Sequence, residues 1–202
     1  MKEETDTLGK QQADDRTLVR NFQAGREDAF DSLLVRYKDR VFNICYRFLG
    51  DYQESDDTAQ DIWVKIYRFL KGFRLEARFS TWLFRVTVNT CKNKLASSQY
   101  KYDKTHISLD NTQEASHHVS KLDVRDNEES PLEKIERKER LKLIQKAVNS
   151  LSSDHKTVII LRDIEGMSYD EISQIIGHKA GTVKSRLARA RGELRKKLKN
   201  IL

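Results

Sequence analysis

The feature that most constrains the fold of this chain is a helical apolar periodicity that runs through two stretches and stops between them. Apolar residues recur at helical spacing from about residue 14 to residue 95, and again from residue 132 to the end. Residues 97–131 lose this periodicity, are acidic on balance and end at Pro131, the only proline. Such a polar segment is typical of a tether. We therefore predict an all-α fold of two small helical domains, residues 12–96 and 132–202, joined by a flexible acidic linker over residues 97–131.

The C-terminal stretch predicts a helix-turn-helix over about residues 168–196. Ser168 with Glu171 three residues later is a capping box that begins one helix, and Gly177 ends it before the last helix. At about 100° per residue, that last helix has an apolar stripe opposite a face of small and basic side chains. Arg and Lys on such a face can bind guanine edges or phosphates in a major groove. The candidates for this contact are Lys184, Ser185, Arg186, Ala188 and Arg189.

The positive charge of the chain is concentrated in the same region. Residues 132–202 hold 17 Lys and Arg against 9 Asp and Glu, whereas residues 1–96 hold 17 against 15. The net charge of +7 favours a polyanionic partner. The alternative is a solvated amphipathic helix whose basic face only confers solubility. The capped helix and the turn in front of the basic helix favour DNA binding over that alternative.

An acidic cluster, ESDDTAQD at residues 54–61, lies within the weakly basic first domain. If the apolar positions of this helix face a core, its exposed side carries Asp57, Gln60 and Asp61. Because these acids would repel DNA, the face is a candidate docking surface for a basic protein partner. The alternative is that Asp56 and Asp57 stabilise the N-terminus of the helix. Residue spacing leaves both interpretations open.

A second candidate DNA-binding face follows on the helix that starts near Ser80. Asn can hydrogen-bond base edges, and Lys and Arg can hold phosphates. The polar residues near one stripe of this helix are Arg85, Asn89, Lys92 and Asn93. Phe73, in the loop of residues 72–80, is the candidate to stack on an unstacked base. Trp82 and Phe84 are expected to lie mostly in the core.

Other functional classes are excluded by what the sequence lacks. No stretch approaches the roughly 20 apolar residues of a membrane span, and residues 1–15 lack the apolar region of a signal peptide. We therefore predict a soluble, cytoplasmic protein. Cys45 and Cys91 have neither disulfide nor zinc spacing and are expected to be ordinary buried thiols. In the absence of a catalytic carboxylate pair, a nucleophile with its base or a metal-ligand cluster, we predict no cofactor and no enzymatic activity.

Three segments, taken in order, resemble motifs of the bacterial RNA polymerase sigma factors of the extracytoplasmic-function branch, in particular the envelope-stress sigma-E type. Residues 57–63 (DTAQDIW) resemble the family's D-L-x-Q-E/D-x-F helix. Residues 81–93 (TWLFRVTVNTCKN) resemble its T-W-L-Y-R-I-A-x-N-x-x-x-N/D segment, and residues 181–191 (GTVKSRLARAR) its G-T-V-K/R-S-R-x-x-R-A-R recognition helix. The resemblance covers about residues 15–198. Thr58 stands where the family usually has Leu, and Trp63 where Phe is commoner.

The resemblance implies a sigma factor that binds core RNA polymerase and directs promoter-specific transcription initiation. Asp57, Gln60 and Asp61 would contact the clamp helices of the largest polymerase subunit, and the polymerase flap would be a further contact. The −10 element would be faced by Phe73, Arg85, Asn89, Lys92 and Asn93, and the −35 element by Lys184, Ser185, Arg186, Ala188 and Arg189.

The resemblance also implies control by an anti-sigma factor, which can be membrane-anchored, in a stress response. The alternative function is that of a free-standing helix-turn-helix regulator that acts without polymerase. The acidic helix and the second basic helix favour the sigma factor, because a repressor needs neither of them.

Overall fold

The computed structural model describes residues 14–97 and 131–199, and every regular element within those ranges is a helix. The predicted all-α fold is thereby confirmed for the described part of the chain. The predicted linker, apart from its end residues 97 and 131, lies outside it. No helix in the described ranges is both long enough and apolar enough to cross a bilayer.

Eight helices follow one another in the described residues. They are α1 (residues 14–23), α2 (Asp28–Leu49), α3 (Tyr52–Leu70), α4 (Phe79–Ala96), α5 (Pro131–Asn149), α6 (Ser153–Ile159, continued by a π-helical turn, Ile160–Ile164), α7 (Tyr169–Ile176) and α8 (Ala180–Lys199). Gly25 and Gly50, which lie between α1 and α2 and between α2 and α3, have φ values of 95° and 75°, which favour glycine. The start of α3 is capped by Asp51, whose side chain accepts a hydrogen bond of 2.9 Å from the backbone N–H of Glu54.

The N-terminal half is built on α2, which packs against both α3 and α4. Buried apolar side chains from these helices, among them Ile44, Ile62 and Leu83, form a common core. Full burial of one such side chain contributes about 1.5–3 kcal/mol. The helices of this half are therefore stabilised mainly by their packing, as is usual for helices of this length.

Asp15 ties α1 to α2 through a buried carboxylate. It accepts hydrogen bonds from Tyr37 Oη and Arg36 Nη1, each at 2.5 Å. Burial raises the pKa of Asp15, while the hydrogen bonds from Tyr37 and Arg36 oppose that rise. Because a buried carboxylate without donors would be costly, the three side chains fix α1 in place.

The C-terminal half contains the predicted helix-turn-helix. Ser168 Oγ accepts a hydrogen bond from the backbone N–H of Glu171, and the Glu171 carboxylate accepts one of 2.8 Å from the backbone N–H of Ser168. The predicted capping box is therefore present. Gly177 ends α7 with a φ of 72°, and α8 begins at Ala180.

The two halves pack directly on each other, a contact that the sequence did not predict. Buried apolar residues between positions 160 and 183 join the apolar cluster of the N-terminal helices. At the end of α2, the carbonyl oxygen of Arg47 accepts a hydrogen bond from Gln145 Nε2 (3.0 Å), and that of Phe48 accepts one from Lys156 Nζ (3.2 Å). Since the last carbonyls of a helix have no partner within it, the C-terminal half completes the end of α2.

Candidate nucleic-acid interface

The exposed side of α3 carries the three predicted docking residues. Asp57, Gln60 and Asp61 are all exposed, whereas Ile62 and Trp63 on the other side of the helix are buried. The acidic face therefore stands on a helix whose opposite side is fixed in the core. Such a face presents negative charge and hydrogen-bond acceptors to solvent in a defined geometry.

The position of the N-cap of α3 tests the alternative that Asp56 and Asp57 stabilise the N-terminus of this helix. The N-cap is Asp51 and the first turn holds Glu54, so Asp56 and Asp57 lie in the second turn. The helix dipole acts mainly within the first turn, which leaves little stabilising role for Asp56 and Asp57.

Thr58 is buried and donates from Oγ1 to the carbonyl oxygen of Glu54 at 2.6 Å. A threonine at this position is therefore accommodated without an unpaired hydroxyl.

Helix α4 has a buried side and an exposed polar side. Arg85, Asn89 and Asn93 are exposed, and Lys92 is partly exposed. These residues lie within about 100° of one another around the helix, so the predicted stripe is present. Phe84, in contrast, is buried, as expected.

Cys45 of α2 and Cys91 of α4 are buried free thiols, as predicted. Their Sγ atoms lie 3.7 Å apart. The hydrogen bond with Cys91, together with burial, raises the pKa of Cys45 far above its usual value. The two thiols pack between α2 and α4, and the raised pKa keeps Cys45 in the thiol form, which is less reactive than the thiolate.

Phe73 stacks on Trp82, with ring centroids 4.8 Å apart and an angle of 23° between the ring planes. Both side chains are half-buried. Trp82 therefore lies at the edge of the core rather than within it, which differs from the expectation for this residue. The stack covers one face of the Phe73 ring and places the loop before α4 next to the polar stripe of that helix.

The last helix, α8, has the inward and outward sides that the sequence predicts. The buried inward positions include Val183, Leu187 and Ala190, and the exposed outward positions include Lys184, Ser185, Ala188 and Arg189. Arg186 lies at the edge of this face and is partly buried. The outward side can approach a polyanion closely, because Ser185 and Ala188 are small and the flanking side chains are basic.

One carboxylate, that of Asp154 in α6, holds basic residues from both halves. Lys92 Nζ lies 2.8 Å from Asp154 Oδ1, and Arg186 Nη1 lies 3.2 Å from Oδ2. The hydrogen bond from Lys92 lowers the pKa of Asp154, and the charge of Arg186 lowers it further. In the same region, Arg85 donates a hydrogen bond to the backbone carbonyl of Gln174 in α7. Three of the predicted DNA-binding side chains are thus engaged within the protein.

Known protein families match both halves of the chain. Residues 33–100 match Sigma-70 region 2, and residues 141–194 match Sigma-70, region 4. The RNA polymerase sigma-H factor of Pseudomonas aeruginosa is 33% identical over 95% of this chain and 97% of its own length. The ECF RNA polymerase sigma-E factors of Haemophilus influenzae and Escherichia coli are 32% and 30% identical over 95% of this chain, and over 99% and 98% of their own lengths. The chain belongs to the extracytoplasmic-function sigma factors.

A sigma factor directs promoter-specific transcription initiation, so core RNA polymerase and promoter DNA are the partners that this membership implies. Sigma factors are initiation factors without a catalytic role of their own. The similarity spans both halves of the chain. The alternative of a free-standing helix-turn-helix regulator is therefore not favoured.

Two solved structures share the fold of this sigma factor. CnrH in complex with the cytosolic domain of CnrY matches with a TM-score of 0.66 and 23% identity, covering 93% of this chain and 98% of CnrH. The sigma factor RpoE in complex with the anti-sigma factor NepR, from Bartonella quintana, matches with a TM-score of 0.60 and 24% identity, covering 86% and 98%. The all-α architecture of the described residues is therefore that of known sigma factors.

Proposed function

We propose that this sigma factor binds core RNA polymerase through the acidic face of α3, reads the −10 element with α4 and the loop before it, and reads the −35 element with α8. The observation that carries the proposal is the separation of charge between these faces. The acidic face and the two basic faces stand on three different helices, and the basic faces belong to different halves. A chain of this design can hold one protein partner and two segments of DNA.

The acidic face suits a basic partner helix better than it suits DNA. Asp57, Gln60 and Asp61 are exposed side by side on a helix whose other side is buried. Charges in such an arrangement steer and orient a complementary protein surface. The clamp helices of the largest polymerase subunit are the partner that we assign to this face, and the flap is the partner that we assign to the C-terminal half.

The basic faces suit the two promoter elements. Asn89 and Asn93 offer amides that can pair with base edges, and Arg85 and Lys92 offer cations for phosphates. On α8, the small outward residues permit close approach, and Arg189 can form a bidentate contact with guanine. Each face therefore combines sequence reading with phosphate binding.

The two halves must part before both faces reach DNA. Lys92 is paired with Asp154 and Arg85 donates to the carbonyl of Gln174, so neither is free to hold a phosphate while the two halves are packed together. We propose that residues 12–96 and 132–202 act as two domains on polymerase, which holds them apart at the promoter spacing. The connecting segment, residues 97–131, can reach on the order of 100 Å when extended.

We propose that an anti-sigma factor, anchored in the membrane, binds this sigma factor in the cytoplasm, where polymerase and promoter DNA also lie. The support is that the related RpoE was solved with its anti-sigma factor NepR. A membrane protein isolated with the tagged sigma factor should exclude core polymerase from the complex. A partner that binds together with polymerase would contradict this part of the proposal.

Transcription by reconstituted holoenzyme tests whether α4 reads the −10 element and α8 reads the −35 element. A promoter identified by mapping transcript starts is prepared in three forms: intact, with the −10 element scrambled, and with the −35 element scrambled. Asn89→Ala should lower initiation on the intact form and have little further effect on the form with a scrambled −10 element. Arg189→Ala should show the same dependence on the −35 element. Lys38→Ala, at an exposed position of α2, is the control. If each variant lowers initiation by the same factor whichever element is scrambled, the assignment of α4 and α8 to separate elements is overturned.

A further inference from the structure

The loop between α3 and α4, residues 71–78, is held by a side chain of α1. Gln23 Nε2 donates hydrogen bonds to the carbonyl oxygens of Phe73 at 2.8 Å and Leu70 at 3.0 Å, and lies 3.4 Å from that of Lys71. A side-chain amide has two N–H donors, so the two shorter bonds use both of them. One carbonyl belongs to the end of α3 and the other to the loop, which means that Gln23 joins the two.

Arg16 holds the far part of the same loop. Its Nη2 donates to the carbonyl oxygen of Leu75 at 3.2 Å. Leu75 has a φ of 57°, a left-handed conformation that a residue with a side chain rarely adopts. Arg16 and Gln23 are seven residues apart, about two helical turns, and therefore project from the same side of α1. Side chains on that side of α1 therefore hold the backbone of the loop at two points.

Helix α1 can hold the loop in place because its own position is fixed by its packing against the core. Val19 and Phe22 are 0% and 1% exposed. Asp15, one residue before Arg16, is bound to Tyr37 and Arg36 of α2. The position of the Gln23 amide is thus set by the core and by a buried carboxylate rather than by the loop that it holds.

The loop in turn extends the DNA-facing stripe of α4. The Phe73 ring stacks on Trp82. Trp82 lies seven residues before Asn89 and eleven before Asn93, and both intervals bring a helical residue back to nearly the same side. The backbone that Gln23 holds therefore sets where the Phe73 ring stands relative to the polar side chains of α4.

We propose that Gln23 is a positioning residue for −10 recognition. By holding the carbonyls of Leu70 and Phe73, it keeps Phe73 on Trp82 and so fixes which base the loop accepts, without touching DNA. This inference rests on the proposed −10 role of α4 and its preceding loop.

Gln23→Glu is the sharpest test variant, because it keeps the size of the side chain and replaces both donors by acceptors. In the free protein, acrylamide quenching of Trp82 fluorescence should rise, while Trp63, which is 9% exposed, contributes little. In reconstituted holoenzyme, discrimination between bases at the −10 element should fall about threefold to tenfold, the effect of one or two hydrogen bonds. Preferences at the −35 element should not change. Gln23→Lys, which restores a donor, should recover most of the discrimination.

The measurement is transcription from a promoter pool randomised at both elements, with Arg20→Ala, an exposed position of α1, as the control. If Gln23→Glu keeps wild-type −10 preferences while Phe73→Ala alters them, the positioning role is overturned and the role of the loop stands. If neither variant alters them, the proposed −10 role of the loop fails, and the inference fails with it. Equal losses of preference at both elements would show a general folding defect and also overturn the inference.

Discussion

Asp154 and Lys92 form an ion pair, 2.8 Å between Oδ1 and Nζ, that joins α6 of the C-terminal half to α4, the helix with the proposed −10 contacts. The second oxygen of the same carboxylate lies 3.2 Å from Arg186 of α8. Two cations that we assign to different promoter elements are therefore held by one acid. The compact arrangement and the DNA-bound arrangement therefore compete for Lys92, whereas the pair with Arg186 lies within the C-terminal half.

Asp154→Asn should shift the free protein towards the arrangement in which the halves are apart. Asp154 is half exposed, and a surface ion pair contributes about 0.2–1 kcal/mol. Loss of the pair with Lys92, which is the one that joins the two halves, should therefore raise the ratio of parted to compact protein by up to about fivefold. Energy transfer between dyes on exposed positions of α2 and α8 measures this ratio. Asp163→Asn, which removes a pair with Arg191 inside the C-terminal half, is the matched control. Equal energy transfer in the two variants would contradict the role of Asp154.

Asp61→Lys should weaken binding to core polymerase by about tenfold or more, because it reverses one of the exposed charges of the acidic face. Binding of the variant to promoter DNA by α8 should not change. Fluorescence anisotropy of the labelled sigma factor, titrated with core polymerase, measures the affinity. Asp39→Lys, at an exposed position of α2, controls for the change in net charge. An affinity equal to that of the control would count against docking through α3.

Arg189→Ala should cost roughly 1–3 kcal/mol of promoter binding if Arg189 contacts a base. The loss should be confined to templates that carry the preferred base pair at one −35 position, since a base contact discriminates among sequences. Binding of holoenzyme to a set of single-substitution templates measures it. Arg195→Ala, also exposed on α8, provides the comparison. A uniform loss on every template would instead identify Arg189 as a phosphate contact.

Ser168→Ala should destabilise the helix-turn-helix by about 1 kcal/mol, because the side-chain half of the capping box at α7 is lost. In a chain of this size the midpoint of thermal unfolding should fall by about 2–4 °C. Ser32→Ala is the control, since Ser32 lies inside α2 and donates only to the carbonyl of Asp28. Equal melting temperatures for the two variants would show that the cap contributes nothing to stability.

Periodicity and capping chemistry were sufficient to predict the helices and the sides that they expose. The stripe of α8 and the capping box at Ser168 depend on residues three or four positions apart, and such patterns are visible in one sequence. The exposure of Asp57 and Asp61 follows from the same count. Local patterns thus predicted which side chains are presented on each face.

The contacts between distant segments could not be predicted in this way. Gln23 reaches carbonyls about 50 positions along the chain, and Asp154 meets Lys92 62 positions away. A bond to a backbone carbonyl requires no particular residue type at the acceptor position, so it leaves no motif. Periodicity places Trp82 in the core for a related reason, since an aromatic side chain stacked at the edge of a core fits the same periodicity as a buried one.

Mapping of transcript starts with reconstituted holoenzyme tests the central claim most directly. Core polymerase is supplied with this sigma factor and fragmented genomic DNA of its source, and the 5′ ends of the products are sequenced. We expect a set of transcript starts, absent with core polymerase alone, that share two sequence elements at a constant separation. We also expect Asn89→Ala to alter the sequence preference at the −10 element and Arg189→Ala to alter the preference at the −35 element. Starts no more frequent than with core polymerase alone, or starts that share a single element, would contradict the account.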